Sequence, residues 1–307
     1  MRKIYLSVNI ALMAILLGSC NSKSTSNNEA PNLDNIEMEE TYSSGEVNVY
    51  VEESVIPIFE DVAMVFESEY PKAKLNTVAS SENKIVNLLA QDSIRLAIMP
   101  RKLSEKEVNY FKNRVTPKQT PFAKDAIVFI ANKDFQDTLV KYEDILSYLK
   151  NPQDAKYQLV FEDVNSALFN RLMHDAEITD IPEQVYFRES AKDVLELLTR
   201  HKNLIGVIGL NWLVQPNDSV AKLMKEVHSL AVYNQDEDDY FKANQSTIAD
   251  GTYPLVRELY IIDLQGKSGL GTGFASFAAG DKGQRVILKS GLLPVKIPTR
   301  QINIKEN

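Results

Sequence analysis

The chain has 307 residues, a formal net charge of −8 and a pI of about 5.1. This acidic balance argues against a nucleic-acid-binding surface, which requires a patch of basic residues. Hydrophobic residues make up 44% of the chain and the mean hydropathy is −0.23, which is typical of a globular body.

The first twenty residues have the pattern of a secretory signal. Met1-Arg2-Lys3 form a basic start, an apolar stretch runs from Ile10 to Leu17, and Leu17-Gly18-Ser19-Cys20 follows. This ending resembles the lipobox of bacterial lipoproteins, which implies cleavage before the cysteine and diacylation of its thiol. A membrane-spanning anchor is disfavoured because spanning a bilayer takes about 20 apolar residues. We therefore expect residues 1–20 to be a signal peptide and Cys20, the only cysteine, to be lipidated rather than buried in a core.

Residues 21–45 are predicted to form a flexible tether. The segment from Asn21 to Asn28 has no apolar residue and cannot contribute to a hydrophobic core. A flexible tether of about 25 residues would hold a domain some tens of ångströms from the lipid. The folded body would then cover residues 46–307.

Strand and helix signals alternate in the first part of this body. Strands are predicted at 47–51, 74–78 and 94–99. Helices lie between them, and their inward positions are predicted to be Phe59, Val62, Ala63, Phe66, Ile85, Val86, Leu88 and Leu89. Ser54 is the expected cap of the first helix, with Pro57 in its first turn. This β-α-β-α-β order favours a parallel sheet with helices on its faces.

The same alternation recurs later in the chain. The unbroken apolar run 126–130 is typical of a strand buried on both faces. Further strands are predicted at 157–161, 205–210 and 260–263, and further helices around 142–149, 168–173, 194–198 and 272–277. Because one sheet would be unusually large, two α/β lobes are predicted.

Several segments resemble those of phosphate ABC-transporter substrate-binding proteins. The resembling segments are a lobe-crossing strand (Phe122–Lys133), a return crossing (Tyr253–Tyr260), the segment closing the first βαβ unit (Met99–Ser104), and a C-terminal helix and tail (Gly273–Phe277, Gly283–Ile287, Gly291–Val295). The resemblance implies an α/β clamp of the type II periplasmic-binding-protein kind, each lobe a mainly parallel sheet flanked by helices. We expect residues 46–121 and 256–307 to form one lobe and residues 122–255 the other.

The resemblance also implies a ligand site. Such clamps close on a small solute by hinge motion and aim helix N-termini at an anion. The positions matching the ligand loops are Ser54, Ser80, Ser81, Asn165 and Ser166. The alternative is that these residues are only helix caps, a common role for serine and asparagine.

Several positions depart from the pattern of the resembled family. Glu162 stands where the family carries an arginine, and Arg95 aligns with an aspartate. Glu52-Glu53 stands at the usually glycine-rich start of the first loop, and Ala167-Leu168 replaces the Gly-Thr that normally follows the serine of the second-lobe loop. Two like charges about 4 Å apart repel by roughly 4 kcal/mol at an effective dielectric near 20, so an anion beside these glutamates needs a compensating cation. We therefore expect Arg95 to bind the ligand and to pair with Glu162. The alternative is that Arg95 faces solvent at the end of the sheet.

Other chemistry is not indicated. No nucleophile motif, metal-ligand spacing or cofactor loop is present in the sequence, so a non-catalytic protein without metal or cofactor is expected. The expected function is capture of phosphate or a related small anion for an ABC permease, by a lipid-anchored monomer on the periplasmic face of a bacterial membrane. The alternative is an inherited clamp that binds another ligand or acts as an interaction module with another envelope protein. The sequence is compatible with anchoring to either the inner or the outer membrane.

Overall fold

The computed structural model describes residues 40–151, 153, 156–214, 216 and 218–298. The predicted signal peptide, Cys20 and residues 21–39 of the predicted tether lie outside the described residues. The strands are β1 (Ser44–Glu52), β2 (Lys72–Ser80), β3 (Leu96–Met99), β4 (Lys118–Asn132), β5 (Leu139–Val140), β6 (Gln158–Phe161), β7 (Val185–Phe187), β8 (Leu204–Gly209), β9 (Val227–Ser229), β10 (Ala231–Asn234), β11 (Asp239–Phe241), β12 (Val256–Asp263) and β13 (Leu293–Pro294).

Helices alternate with these strands along most of the chain. They are α1 (Ile56–Glu69), α2 (Glu82–Ala90), α3 (Glu105–Phe111), α4 (Tyr142–Lys150), α5 (Ala167–Asp175), α6 (Ala191–Arg200), α7 (Asn211–Val214), α8 (Asp218–Ala221), α9 (Gln245–Ala249), α10 (Leu270–Ala279) and α11 (Asp281–Lys289). Two 3-10 turns cover Glu53–Val55 and Leu223–Glu226. Within the described residues, no helix is both long and apolar enough to cross a bilayer.

The main sheet contains ten strands in the described part of the chain, with the order β2-β1-β3-β12-β4-β8-β6-β7 and with β9 and β13 also paired to β4. Two runs are parallel: β1 pairs in parallel with β2 and β3, and β6 with β7 and β8. The antiparallel strands β12 and β4 join these runs. The α/β fold class is confirmed, and the two predicted sheets are continuous through the long strand β4.

Strand β4 is the structural link between the two halves. Its first part pairs with β12 up to Ala126, and its second part pairs with β8 from Ile127 to Ala131. A register shift lies between Leu259 and Tyr260 of β12 and leaves Phe122 of β4 without a partner in the register. This irregularity falls at the predicted boundary between lobes, residues 121 and 122. The lobe boundaries themselves remain a prediction.

The helices bury the apolar faces that their spacing predicts. Phe59, Val62 and Phe66 of α1 are fully buried, and the rings of Phe59 and Phe66 each lie 5.5 Å from the ring of Phe274 on α10. Edge-on aromatic contacts of this kind add to the stabilisation from buried area. The aromatic cluster fixes α1 against the sheet, and so fixes the turn that precedes α1.

Most of the predicted elements are confirmed within a few residues, but two boundaries differ. Helix α1 is preceded by Val55 as its N-cap, while Ser54 lies in the 3-10 turn before it. The folded body also begins earlier than residue 46, because the carboxylate of Glu40 accepts a hydrogen bond from the backbone N–H of Leu270 at 2.9 Å. The strands missed by sequence reasoning are short, between two and four residues, and have too few positions to show a period.

Candidate functional site

The candidate site lies where the carboxyl end of β1 meets the start of α5. Open α/β sheets place ligands outside the carboxyl ends of their strands, because loops from neighbouring strands converge there. Glu52 is the last residue of β1 and is paired in register with Ser80, the last residue of β2. The loop that follows β6 brings Ser166 and Ala167 to the same place.

The turn after β1 forms the first side of the site. Glu52 has an extended backbone and caps the 3-10 turn, since its carboxylate accepts a hydrogen bond from the backbone N–H of Ser54 at 3.1 Å. The hydroxyl of Ser54 also donates to that carboxylate oxygen, Oε2. Ser54 and Glu52 are both completely buried. Ser54 is therefore not the predicted cap of α1 but part of a buried polar cluster, and its role in ligand binding stays a prediction.

The N-terminus of α5 forms the second side. An Asx turn shapes the preceding loop, in which the carboxylate of Asp163 accepts from the backbone N–H of Asn165 at 2.7 Å. Ser166 then caps the helix, accepting from the N–H of Phe169 at 3.3 Å. The next free N–H, that of Ala167, donates to Oε1 of Glu52 at 3.0 Å. A helix N-terminus therefore points at a carboxylate, the charge that its dipole favours.

A buried ion pair supports this arrangement from behind. Arg257 on β12 donates to Asp125 on β4 through Nε at 3.0 Å and Nη2 at 2.6 Å, and through Nη1 to the Ser54 hydroxyl at 2.8 Å. Asn211, at the start of α7, donates from its side chain to the carbonyl of Ser54 at 2.5 Å and from its backbone to Asp125 at 3.1 Å. These contacts fix the orientation of the Ser54 hydroxyl, which accepts from Arg257 and so must donate to Glu52.

We call this set of donors the anion cradle: the N–H and hydroxyl of Ser54 and the N–H of Ala167, with Arg257 behind the hydroxyl. All three donors converge on the two oxygens of one carboxylate. Since an ionised carboxylate only accepts hydrogen bonds, this geometry is that of a bound anion. The anion in this structure is the side chain of Glu52.

Two further glutamates surround the anion cradle. Burial raises the pKa of Glu162 well above its usual range, and the charge of Glu52 raises it further. Burial also raises the pKa of Glu53, to about 7, with contributions from Asp163 and Glu52. The pKa of Glu52 is raised by burial as well, while Arg257 and the cradle donors oppose that change.

The other predicted serines lie near this centre but do not contact Glu52 through a hydrogen bond among the described residues. Ser80 is 2% exposed, and its hydroxyl is buried without a partner there. Ser81 is the N-cap of α2 by its backbone angles, with no hydrogen bond from its side chain to the helix. Glu162 resembles Ser80 in this respect, because both of its carboxyl oxygens are buried and unpaired among the described residues.

Asn165 contacts the first turn of α2 instead of the cradle. Its side-chain oxygen accepts from Nδ2 of Asn83 at 3.1 Å, and its carbonyl accepts from the backbone N–H of Asn83 at 3.4 Å. Asn170 on α5 donates to the side chain of Asn83 at 3.0 Å and to Glu82 at 3.3 Å. The two halves of the sheet are thus joined across the site in a closed arrangement.

Arg95 lies at the surface and not beside Glu162. Its side chain is 53% exposed and forms a two-point ion pair with Asp92, at 3.0 and 2.8 Å. The physical reason is its position in the strand: Arg95 precedes β3, which runs parallel to β1, and so lies at the amino end of the sheet. The anion cradle is at the opposite, carboxyl end. The predicted pair of Arg95 with Glu162 is not formed in this structure, and the cation at the site is Arg257.

A cavity of about 610 Å³ leads to the cradle, and its lining includes Ala167 and Arg257. Arg101, Lys102 and Arg171 also line it. Arg101 pairs with Glu82 and Glu107, at 3.1 and 2.9 Å, which fixes its guanidinium at the wall. Glu82 and Asp175 line the cavity as well, and Asp175 pairs with Arg171 at 2.7 Å, so the wall carries charges of both signs.

Sequence reasoning missed Asp125, Asn211 and Arg257 as members of the site, and it placed Glu52 there only as a departure from the glycine-rich start of the first loop. A signal was present for Asp125, since a carboxylate directly before the apolar run of a doubly buried strand requires a partner. Arg257 occurs in the corresponding return crossing, which pairs with that strand. A charged residue of opposite sign on each crossing strand therefore predicts the buried pair.

Comparisons with known proteins agree with this fold. The PBP superfamily domain matches residues 27–282. "Phosphate-binding protein PstS 2" of Streptococcus pneumoniae is 28% identical over 127 residues, which are 41% of this chain and only 38% of that protein. "Phosphate-binding protein PstS" of Borreliella burgdorferi is 22% identical over 263 residues, covering 79% of this chain and 88% of that protein.

A solved structure from Clostridium perfringens, of a phosphate ABC transporter substrate-binding protein with bound phosphate, is similar to this chain with a TM-score of 0.67. The identity is 17%, and the match covers 82% of this chain and all of that one. At this identity the likeness shows the fold, a type II periplasmic-binding-protein arrangement. With the domain match extending over most of the sequence, this chain belongs to the PBP superfamily.

Proposed function

We propose that this chain is the solute-binding component of an ABC-type uptake system and that it captures phosphate or a related small anion. The observation that carries the proposal is the anion cradle. Three donors from two separate loops converge on one position, and a cation lies directly behind one of them. Such convergence is what recognition of a small oxyanion requires, because each oxygen needs its own donor.

The comparisons support the same proposal. The relatives from Streptococcus pneumoniae and Borreliella burgdorferi are named as phosphate-binding proteins, and the Clostridium perfringens structure contains phosphate. The cavity beside the cradle supports it as well, since it supplies an approach from the surface to Ala167 and Arg257.

The remaining features of the proposal follow from the sequence. Lipid attached to Cys20 would anchor the chain to a membrane outside the cytoplasm, and an ABC permease would receive the captured solute. The protein would act as a monomer and without catalysis, because ligand capture by a closing clamp needs no reacting group.

A second candidate function is favoured by one observation, the carboxylate of Glu52 already seated in the cradle. A site filled by the protein's own side chain suits a clamp that has a different ligand or that acts as an interaction module for another envelope protein. The two candidates differ in whether a free small anion binds.

The test is calorimetric titration of phosphate, and then of sulfate, into the purified full chain after bound anions have been removed. Measurable heat and saturation are expected for the wild-type protein. Ser54→Ala is expected to weaken binding by about tenfold to about a hundredfold, because a hydrogen bond to a charged group contributes about 1.5–3 kcal/mol.

Ser147→Ala is the matched control, since Ser147 is exposed on α4 and remote in sequence from the cradle loops. It should bind phosphate as the wild type does. A folded protein that takes up no small oxyanion would reject the proposed function and favour the second candidate.

A further inference from the structure

The side chain of Glu52 occupies the anion cradle of its own chain. Its Oε1 accepts from the N–H of Ala167 at 3.0 Å, and its Oε2 accepts from the N–H of Ser54 at 3.1 Å and from the Ser54 hydroxyl. The side chain has no exposed surface. Both oxygens are thus held as the oxygens of a bound oxyanion would be held.

A free anion and this carboxylate cannot use the cradle together. Each N–H and the hydroxyl has one proton to donate, and all three donate to Glu52. The one guanidinium of the cradle, that of Arg257, is already shared with the carboxylate of Asp125. A second anion would therefore meet occupied donors and a like charge, which disfavours it in a buried site.

Groups beside the cradle indicate that a polar solute also has a place there. Both oxygens of Glu162 and the hydroxyl of Ser80 are buried without a hydrogen-bond partner among the described residues. Buried polar atoms are normally paired, so an unpaired set next to a donor cluster indicates a position for a ligand with polar hydrogens. This observation is independent of the contacts made by Glu52.

We propose that Glu52 is a specificity-determining residue that competes with the solute anion for the cradle, so that capture requires displacement of its carboxylate. The competitor is tethered and cannot diffuse away, so its effective concentration at the site is high. Weakly accepting anions fail to displace it, and only an anion that makes more hydrogen bonds than a carboxylate binds. The identity of the displaced solute rests on the proposed function, whereas the position of Glu52 in the cradle does not.

The experiment compares the wild type with Glu52→Ala in the full chain. Removing the carboxylate leaves the donors of Ser54 and Ala167 without an acceptor, and a small carboxylate from solution can replace it. Sodium formate, compared with sodium chloride at equal ionic strength, is expected to raise the melting temperature of Glu52→Ala but not of the wild type. Calorimetry is expected to show phosphate binding to Glu52→Ala at least about tenfold tighter than to the wild type.

Two more variants make the test decisive. Glu46→Gln changes an exposed glutamate on the same strand, β1, and should behave as the wild type in both assays. Glu52→Gln keeps the volume of the side chain and removes its charge, so it should fold even if Glu52→Ala does not, and should also bind phosphate more tightly than the wild type.

The outcomes separate this inference from the proposed function. Wild-type binding of phosphate with no tighter binding by Glu52→Ala or Glu52→Gln overturns the inference and leaves the proposed function intact. If formate raises the melting temperature of Glu52→Ala and no variant binds phosphate, the position of Glu52 in the cradle is supported and the proposed phosphate ligand is rejected. If neither formate nor phosphate affects a folded Glu52→Ala, the inference is wrong.

Discussion

The carboxyl group of Glu162 is buried and has no hydrogen-bond partner among the described residues. Burial, and then the charge of Glu52, raises its pKa well above the value of an exposed glutamate. The folded state therefore holds this proton more tightly than the unfolded chain does. By linkage, this group makes stability fall as the pH rises from the unfolded pKa, near 4.5, towards the raised pKa in the folded state.

We predict that Glu162→Gln removes most of this decrease in stability with rising pH. The amide cannot ionise, so the variant should be more stable than the wild type near pH 8 by about 1 kcal/mol or more, and its stability should change less with pH. Urea unfolding between about pH 5 and about pH 8 measures this. Some dependence will remain, because the pKa of Glu53 is also raised, to about 7. An equally steep decline in the variant would show that Glu162 is not the titrating group.

The residues of the cradle show why part of the site could not be predicted. Ser166 was recognisable because a cap and its helix are local in sequence, and its bond to Phe169 spans three positions. Glu52 and Ala167 are 115 positions apart, and Ser54 and Arg257 are 203 apart. No pattern of local spacing connects such pairs, and the order of the strands across the main sheet brings them together. The hypothesis that Arg95 pairs with Glu162 was wrong for the complementary reason. The ion-pair partner of Arg95, Asp92, is local in sequence, and strand direction places Arg95 at the amino end of the sheet.

At the scale of elements, the apolar periodicity predicted the strands and helices that pack into the core. Residues 126–130 predicted the buried part of β4, and the inward positions of α1 are buried as expected. The full length of β4, fifteen residues, was not predictable from that apolar run. Its first residues are exposed or half-buried and gain their strand conformation from pairing with β12, which is a tertiary effect.

Gly209 is the last residue of β8. Because it has no side chain, Arg257, Asn211 and Ser54 can approach its backbone closely. An added Cβ would collide with Nη2 of Arg257 and would lie 2.7 Å from Nδ2 of Asn211 and 2.9 Å from the carbonyl oxygen of Ser54. Gly209→Ala should therefore displace Arg257 from the Ser54 hydroxyl and weaken phosphate binding by about tenfold or more. It should also change the fluorescence of Trp212, the single tryptophan, which follows Asn211.

Gly206→Ala is the matched control on the same strand. There the added Cβ would lie 2.8 Å from a methyl carbon of Leu198 and 2.9 Å from one of Val194, at the ends of apolar side chains. Both variants are expected to lose about 1–3 kcal/mol of stability through overpacking. Only Gly209→Ala should alter anion affinity and tryptophan emission. Equal effects of the two variants would mean that general destabilisation, not the displaced Arg257, accounts for the loss.

At the scale of the whole molecule, the two halves of the main sheet are connected in two ways. Strands β4 and β12 cross between them, with an irregular register near Phe122 and Leu259 that suits a hinge. On the other side of the site, Asn83 in the first turn of α2 and Asn165 in the loop before α5 are joined by two hydrogen bonds. One is between their side chains, at 3.1 Å, and the other is between their backbones, at 3.4 Å. These bonds connect the two halves beside the cradle in which Glu52 lies.

We predict that the double variant Asn83→Ala/Asn165→Ala shifts the molecule towards an open arrangement. The variant removes the side-chain hydrogen bonds of Asn83 with Asn165 and Asn170 and keeps the backbone bond between Asn83 and Asn165. A hydrogen bond contributes about 1 kcal/mol, or roughly fivefold in the balance between two conformations, and such balances amount to a few kcal/mol. Small-angle scattering should show a larger radius of gyration than for the wild type. The double variant Asn48→Ala/Asn76→Ala removes a similar exposed pair, at 3.2 Å, between β1 and β2 of one half, and should leave the scattering unchanged. Scattering from the Asn83→Ala/Asn165→Ala variant that is indistinguishable from the control would show that the closed arrangement does not depend on the side-chain contact between Asn83 and Asn165.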